Sequence, residues 1–211
     1  MNIAFIGAGR VGAPLAARLA EAGHQVVLAE SGGESASIAA ALLRSSRLSS
    51  RPMVDAVRSA DVVFVATPFP VVQEVLPPLA DALAGKVLVD CTNPVGPGLT
   101  HGLRSERAGS EVVQSLVPGA SVVKAFTIYG FENLEDASYP AYTVRPAMLF
   151  CGDSPEAKVR VSQLTSECGF EPVDVGALSQ ALHLEHMTLL WIRMVRVDGR
   201  SPNVVWAALR R

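Results

Sequence analysis

The first thirty residues predict a strand, a glycine-rich turn, a helix and a second strand. Residues 1–6 are almost entirely apolar, and residues 11–22 carry leucines at helical spacing. Gly23 ends the helix, and residues 25–29 form a second apolar strand after a short connection. A strand, a helix and a strand joined in this order predict two parallel strands with the helix as their crossover.

The same alternation continues to the end of the chain. Further apolar runs predict strands at residues 61–66, 86–90, 121–125, 147–151 and 171–174. Helical patterns lie between them, at residues 35–44, 54–59, 71–83, 110–116, 155–168 and 178–195. Strands that are apolar on both faces are typical of a parallel sheet covered by helices on both sides. The sequence therefore predicts a doubly wound α/β fold, with residues 44–51 as a solvated loop.

Composition limits the domain number and the classes of partner. A chain of 211 residues, 49% of them apolar, suffices for one large domain over residues 1–211. The 18 Lys and Arg residues against 20 Asp and Glu give no positive field for nucleic acid or an anionic membrane surface. No apolar run approaches the ~20 residues that span a bilayer, and no secretion signal is recognisable. We expect a cytoplasmic protein whose three cysteines are reduced structural thiols.

The turn between the first strand and the first helix has the pattern G-x-G-x-x-G. Its residues are Gly7, Ala8, Gly9, Arg10, Val11 and Gly12. In this position the first glycine permits the tight turn, the second lets the backbone approach a pyrophosphate, and the third lets helix and strand pack closely. The helix N-terminus then offers free N–H groups to the phosphates. The pattern predicts a dinucleotide site, although glycines in a purely structural turn remain the alternative.

Glu30 ends the second strand, 18 positions after Gly12. A carboxylate at this position can accept hydrogen bonds from the adenosine ribose hydroxyls, and it would repel a 2′-phosphate. The charge therefore favours NAD(H) over NADP(H), while Arg10 and Arg44 lie where they can approach the same end of the cofactor. The alternative is an exposed charge at a strand end.

Polar residues followed by proline end the third and fourth predicted strands. Thr67-Pro68 follows one strand, and Thr92-Asn93-Pro94 follows the next. Ligands of open α/β sheets bind outside such carboxyl ends, so Thr67, Thr92 and Asn93 can donate or accept hydrogen bonds near the nicotinamide half. Simple proline turns are the alternative interpretation.

These motifs, in this order, resemble a known family. The segments GAGRVG, ATPFP, VDCTNPVG, VPGASVVKAF, MLFCGD and DVGALSQALHLEHMTLLWI are similar to those of coenzyme F420-dependent NADP oxidoreductases, and the reductase domains of six-transmembrane ferric reductases also look similar. The resemblance implies a Rossmann-type domain that holds NADP or NAD along Gly7–Gly12, Thr67-Pro68, Asn93-Pro94 and Ala125-Phe126. It further implies a deazaflavin or flavin stacked on the nicotinamide, with direct hydride transfer between the rings and residues 140–211 completing the second-substrate pocket.

Two departures from the family pattern concern the cofactor and the acceptor. Members that bind NADP commonly have Ser-Arg or Asn-Arg after the second strand, where this chain has Ala29-Glu30. The familiar KAFN run here ends in Thr127, whose hydroxyl retains one of the hydrogen bonds that an amide would make.

No catalytic dyad or metal-ligand motif is expected, because hydride transfer is the cofactor's own reaction and the protein supplies orientation and water exclusion. His183 and His186 share a face of the last helix, where the resemblance places the acceptor pocket. They are interpreted as pocket residues, with a metal site or simple helix packing as alternatives.

Tyr129 and Phe131 either stack on a flat ring or cap the sheet. The last thirteen residues pack on their own domain or on a partner subunit, so a homodimer is possible.

The leading hypothesis is an NAD(P)-dependent oxidoreductase that exchanges hydride with a deazaflavin, a flavin or a similar flat acceptor. A small imine or 2-hydroxy acid reductase is the second. A dinucleotide-sensing module without turnover is the third, since no acid or base residue stands out.

Overall fold

One eight-stranded sheet organises the computed structural model, which describes residues 1–33 and 35–211. The strand order is β3-β2-β1-β4-β5-β6-β7-β8. The strands are β1 (Asn2–Ile6), β2 (Gln25–Glu30), β3 (Leu48–Pro52), β4 (Val62–Val65), β5 (Val87–Asp90), β6 (Ser121–Lys124), β7 (Ala147–Gly152) and β8 (Glu171–Asp174). All neighbouring pairs are parallel except β6 and β7, which are antiparallel. The predicted doubly wound, mostly parallel α/β fold of the Rossmann type is confirmed.

Helices connect these strands and cover both faces of the sheet. They are α1 (Gly12–Glu21), α2 (Ala36–Arg44), α3 (Met53–Ser59), α4 (Val72–Val75), α5 (Ala80–Leu83), α6 (Gly109–Leu116), α7 (Phe131–Glu135), α8 (Pro155–Glu167) and α9 (Ala181–Ile192). Along β1, Ile3 and Phe5 pack into one apolar core, while Ala4 and Ile6 pack into a second core on the opposite face. Burial on both faces explains why the strands read as continuous apolar runs.

The chain order reverses between β1 and β4. From β1 the chain moves outward through β2 to β3, and it then returns to β4, from which β5 and β6 extend in the other direction. At such a switch point the two loops that follow the central strands diverge and leave a crevice at the carboxyl ends of the strands. The glycine turn after β1 and Thr67 after β4 lie at this crevice.

Two predicted segments were wrong. Residues 44–51 were expected to form a solvated loop, yet Leu48–Pro52 is the edge strand β3, paired in parallel with β2. Only Leu48 of this strand is buried, so it lacks the apolar run that identifies the central strands. The helix predicted over residues 71–83 is broken, because Pro77 and Pro78 divide it into α4, a 3₁₀ turn and α5.

The three cysteines are free and buried, as expected for structural thiols. Burial raises the pKa of Cys91, and it raises the pKa values of Cys151 and Cys168 to about 12. Thiolates are the reactive form, so these side chains are chemically quiet at neutral pH.

The C-terminal segment packs on its own chain. The indole N–H of Trp191 donates to the carbonyl of Val204 at 2.9 Å, and the amide of Ala147 donates to the carbonyl of Trp206 at 2.8 Å. The phenol of Tyr129 also contacts the backbone of Trp206. Of the two predicted locations for this segment, the structure shows the intramolecular one. Within the described residues, no helix has both the length and the apolar character needed to cross a membrane.

Candidate functional site

The glycine turn between β1 and α1 depends on glycine at two of its positions for steric reasons. Gly7 has φ +100°, and a Cβ added there would lie 2.7 Å from the carbonyl oxygen of Ala66. A Cβ added at Gly12 would lie 2.0 Å from the carbonyl oxygen of Gly7. The turn and the start of α1 therefore pack against each other and against the end of β4 more closely than any side chain allows.

Gly9 is exposed and differs from the other two glycines. A Cβ added there would meet no atom within 4 Å, so the protein itself does not require glycine at this position. Packing does not explain Gly9, but the close approach of a ligand to the backbone does.

The N-terminus of α1 faces the same space with its N–H groups uncapped. Val11 precedes the helix and gives no side-chain cap, and the first turn contains no acidic residue. Of the other turn residues, Ala8 is buried, while Arg10 is exposed and places its guanidinium 4.9 Å from the ring centre of Phe131. A ten-residue helix with no side-chain cap and no acidic residue in its first turn suits a phosphate.

Glu30 lies at the end of β2 and lines an open cavity of about 810 Å³. The cavity lies between the end of β2 and α2, and Gly33, Ile38 and Leu42 also line it. Arg44 is not among the residues that line this cavity, and its half-exposed guanidinium pairs with Glu135 at 3.2 Å. A carboxylate at the end of β2, beside a cavity of this size, is at the position expected of a residue that contacts the adenosine ribose.

Thr67 follows β4 and lies against the glycine turn. Its γ-methyl group would lie 3.0 Å from a Cβ added at Gly7. Its hydroxyl is buried without a hydrogen-bond partner among the described residues. Pro68 is exposed and has φ −54°, immediately before a short 3₁₀ turn. A buried hydroxyl without a partner is costly in a finished structure, so this one is suited to a ligand in the crevice.

The ends of β5 and β6 bring Asn93 and Thr127 together. Asn93 is half-buried and Pro94 is buried, while Ala125 and Phe126 are fully buried after β6. Phe126 has φ +58°, a left-handed backbone that is strained for an aromatic residue. Strained residues of this kind are concentrated at functional sites. The hydroxyl of Thr127, like that of Thr67, is buried with no partner within the described part of the chain.

Thr188 on α9 joins these two turns, and sequence reasoning missed it. Its hydroxyl oxygen lies 3.1 Å from Oδ1 of Asn93 and 2.9 Å from the carbonyl oxygen of Thr127. A single threonine in a helix gives no sequence signal, because its partners are 95 and 61 residues away along the chain.

A buried charged cluster lies directly beneath the ends of β5 and β6. Lys124 is completely buried, and its ammonium group lies 3.4 Å from Asp90 and 3.0 Å from Glu185. It also donates to the carbonyl oxygen of Thr92, next to Asn93. Burial alone would lower the pKa of Lys124, but Asp90 and Glu185 together outweigh that effect and raise it. The lysine is therefore a permanent cation.

Glu185 accepts hydrogen bonds from two further groups. It accepts from the amide of Gly109 at 2.9 Å, at the N-terminus of α6, and it lies 2.7 Å from Nε2 of His101. Nδ1 of His101 accepts from the amides of Leu103 and Ser105, so Nε2 carries the hydrogen and donates to Glu185. The sequence analysis did not identify this cluster, because each member alone looks like an ordinary charged or polar residue.

The predicted pocket histidines are on the exposed side of α9. His183 is exposed, and His186 is exposed with its ring 2.9 Å from the hydroxyl of Ser105. Tyr129 is buried and stacks on Phe170 rather than facing open space. Its pKa is raised by burial. Phe131 lies under Arg10 and Arg196.

The fold and the glycine turn are those of the Rossmann-type class of dinucleotide-binding proteins. The model of one family of this class, described as "NADP oxidoreductase coenzyme F420-dependent", matches residues 2–94. The resemblance to this family predicted from the sequence is thereby confirmed.

Individual relatives and a solved structure agree with this similarity. Metalloreductase STEAP3 of Rattus norvegicus is 37% identical over 64% of this chain and 26% of its own length. F420-dependent NADP reductase of Methanothermobacter thermautotrophicus is 28% identical over 96% of this chain and 92% of its own. A crystal structure from Arthrobacter sp. FB24, named as a candidate F420-dependent NADP reductase, has a TM-score of 0.83 and 26% identity, covering 94% of this chain and 95% of the other. The chain spans about a quarter of the length of the metalloreductases it matches. These similarities support the prediction that the chain is an NAD(P)-dependent oxidoreductase.

Proposed function

We propose that this protein transfers hydride between a nicotinamide dinucleotide and a deazaflavin or a similar flat acceptor. One observation carries the proposal. The glycine turn, Thr67, Asn93 and Thr127 lie at the carboxyl ends of four adjacent strands, and the hydroxyls of Thr67 and Thr127 are buried with no hydrogen-bond partner among residues 1–33 and 35–211. A dinucleotide laid across the switch point satisfies both hydroxyls and uses the free space over Gly9.

Each part of the site has a separate task. The turn Gly7–Gly12 and the N-terminus of α1 hold the pyrophosphate, and Glu30 accepts hydrogen bonds from the adenosine ribose. Thr67, Asn93 and Thr127 orient the nicotinamide half, with Pro68, Pro94, Ala125 and Phe126 fixing the turns that carry them. When bound, the nicotinamide supplies the hydride. The protein contributes geometry and water exclusion, so no acid or base residue has to touch the reacting carbons.

A deazaflavin is proposed as the acceptor because of how much of this chain the different relatives match. Two of the relatives named F420-dependent NADP reductases match 96% of this chain, whereas STEAP3 matches 64% of it with 26% of its own length. The acceptor pocket is proposed to be completed by residues 140–211, with His183 and His186 near its rim.

The predicted homodimer stays a prediction. A cytoplasmic location is supported by the three free, buried thiols, since reducing compartments keep such thiols unpaired.

The matching family model and the F420-dependent NADP reductases are named for NADP, and their similarity supports its use here. The carboxylate of Glu30 would nevertheless repel the 2′-phosphate of NADP(H), because the two negative charges would lie at the same end of the cavity. We therefore propose that the chain binds NADP(H) less tightly, relative to NAD(H), than a chain with a neutral residue at this position would.

The experiment combines binding and turnover. NADH and NADPH are titrated by fluorescence, and their oxidation is then followed under anaerobic conditions with coenzyme F420, FMN, a ferric chelate or a cyclic imine as acceptor. Tight dinucleotide binding and oxidation with coenzyme F420 support the proposal. Oxidation with the imine alone would replace it with the imine reductase hypothesis, and tight binding without turnover on any acceptor would leave only the sensing module.

A further inference from the structure

We propose that Thr188 is a positioning residue, which sets the orientation of the Asn93 amide and of the Thr127 turn for hydride transfer. Thr188 lies within the last of the quoted segments, but the sequence gives it no role, and it lies on α9 rather than on a strand end. The proposal rests on the proposed function, because it assumes that the nicotinamide binds at these two turns.

The hydroxyl group of Thr188 contacts both turns. It is buried, and its oxygen lies 2.9 Å from the carbonyl oxygen of Thr127 and 3.1 Å from both the Asn93 side-chain amide and the carbonyl oxygen of Leu184, one turn earlier in α9. The hydroxyl therefore contacts one end of the Asn93 amide and the backbone of the Thr127 turn at the same time. Without this hydroxyl, the amide loses its only side-chain hydrogen bond within the described residues and is free to rotate.

The position of α9 itself is fixed by Glu185, one turn before Thr188 on the same face. Glu185 is 1% exposed and is held by Lys124 from β6, by His101 from the loop after Asn93 and by the amide of Gly109. Moving the helix would leave the buried carboxylate of Glu185 without its partners, which is strongly unfavourable. The helix is thus a rigid support, and Thr188 transmits its position to both turns.

Thr188 does not reach the reacting atoms in this account. It acts through Asn93 and Thr127, so its loss should affect the nicotinamide half of the cofactor and not the adenosine half. An angular error in the nicotinamide lowers the rate of hydride transfer far more than it lowers overall cofactor affinity, because transfer requires aligned rings at close approach.

The test compares Thr188→Val, which has nearly the same shape and no hydroxyl, with Thr188→Ser, which keeps the hydroxyl. For Thr188→Val we expect kcat to fall by about tenfold or more. Binding of the nicotinamide dinucleotide should weaken relative to binding of ADP-ribose, which has no nicotinamide. Binding of ADP-ribose itself should stay at the wild-type value. Thr188→Ser should recover kcat to within about threefold of wild type, since one donor remains.

The matched control is Thr165→Val. Thr165 is equally buried, on α8, and its hydroxyl makes no hydrogen bond with the described residues. This variant should keep wild-type kcat and both affinities. Wild-type kcat and an unchanged affinity ratio in Thr188→Val would overturn the proposal. An equal loss of ADP-ribose binding, or a failure of Thr188→Ser to recover, would instead show a general structural role and overturn it as well.

The binding ratio keeps this test separate from the proposed function. If wild-type protein oxidises neither dinucleotide with any acceptor, the proposed function fails, and the ratio of dinucleotide to ADP-ribose affinity still decides whether Thr188 orients the nicotinamide. If wild-type protein turns over and both kcat and the ratio are unchanged in Thr188→Val, the positioning proposal alone fails.

Discussion

Gly9→Ala and Gly12→Ala separate ligand contact from protein packing within one turn. The added Cβ of Gly12→Ala would lie 2.0 Å from the carbonyl oxygen of Gly7 and 3.0 Å from its carbonyl carbon. Both atoms belong to the backbone, so the turn must move by about 1.5 Å to reach an ordinary contact distance of about 3.5 Å. We expect a loss of about 1–3 kcal/mol in the free energy of unfolding, as for other overpacked sites. Dinucleotide affinity should fall with it, because the moved turn carries the phosphate-binding amides.

Gly9→Ala should behave differently, because its Cβ would meet no protein atom within 4 Å. Its free energy of unfolding should stay within about 0.5 kcal/mol of wild type. The methyl group enters the space where the backbone must approach the pyrophosphate, so affinity should fall by about tenfold or more, equivalent to ~1.4 kcal/mol. Denaturant titration measures the first quantity, and calorimetric titration with the dinucleotide and with ADP-ribose measures the second. Wild-type affinity in Gly9→Ala would refute the placement of the phosphates over this turn.

Three further predictions concern selectivity, thiol chemistry and alkaline stability. Replacing Glu30 by Gln should raise affinity for NADPH relative to NADH about tenfold, measured by competitive titration, and an unchanged ratio would show that the carboxylate does not face the 2′ position. Burial raises the pKa values of Cys91, Cys151 and Cys168, so a disulfide reagent should not label the native protein at neutral pH. All three thiols should react in denaturant. Rapid labelling of the native protein would contradict this. Burial also raises the pKa of Tyr129, so its contribution to stability is complete below the ordinary tyrosine pKa of about 10 and is lost as pH rises further. The stability difference between wild type and Tyr129→Phe should therefore shrink above that pH, and a constant difference in denaturant titrations would oppose this reasoning.

The strands and the glycine turn were predictable because their signals are local. Each central strand is a short apolar run, and Gly7–Gly12 stands directly between a strand and a helix. The edge strand β3 was missed because only one face of it packs on the protein, so its sequence LSSRP is mostly polar. The break after α4 was overlooked although two consecutive prolines mark it.

The buried cluster and Thr188 were not predictable in the same way. Asp90, Lys124 and Glu185 come from two strands and a helix that are distant along the chain, and only the folded sheet brings them together. A buried lysine looks like a surface lysine in a single sequence, because its burial is a property of its partners. Their importance follows from tertiary geometry, which places the charges beneath Asn93 and Thr127.

The most direct test of the central claim follows the hydrogen that is transferred. NADPH, or NADH if it binds more tightly, is labelled with deuterium at the C4 position that the enzyme uses, and it is reacted with coenzyme F420 in ordinary water. Direct transfer between stacked rings predicts that the deuterium appears on carbon in the reduced acceptor, with a primary isotope effect when transfer limits the rate. Deuterium recovered in the solvent, or no reduction of the acceptor despite tight dinucleotide binding, would contradict the account.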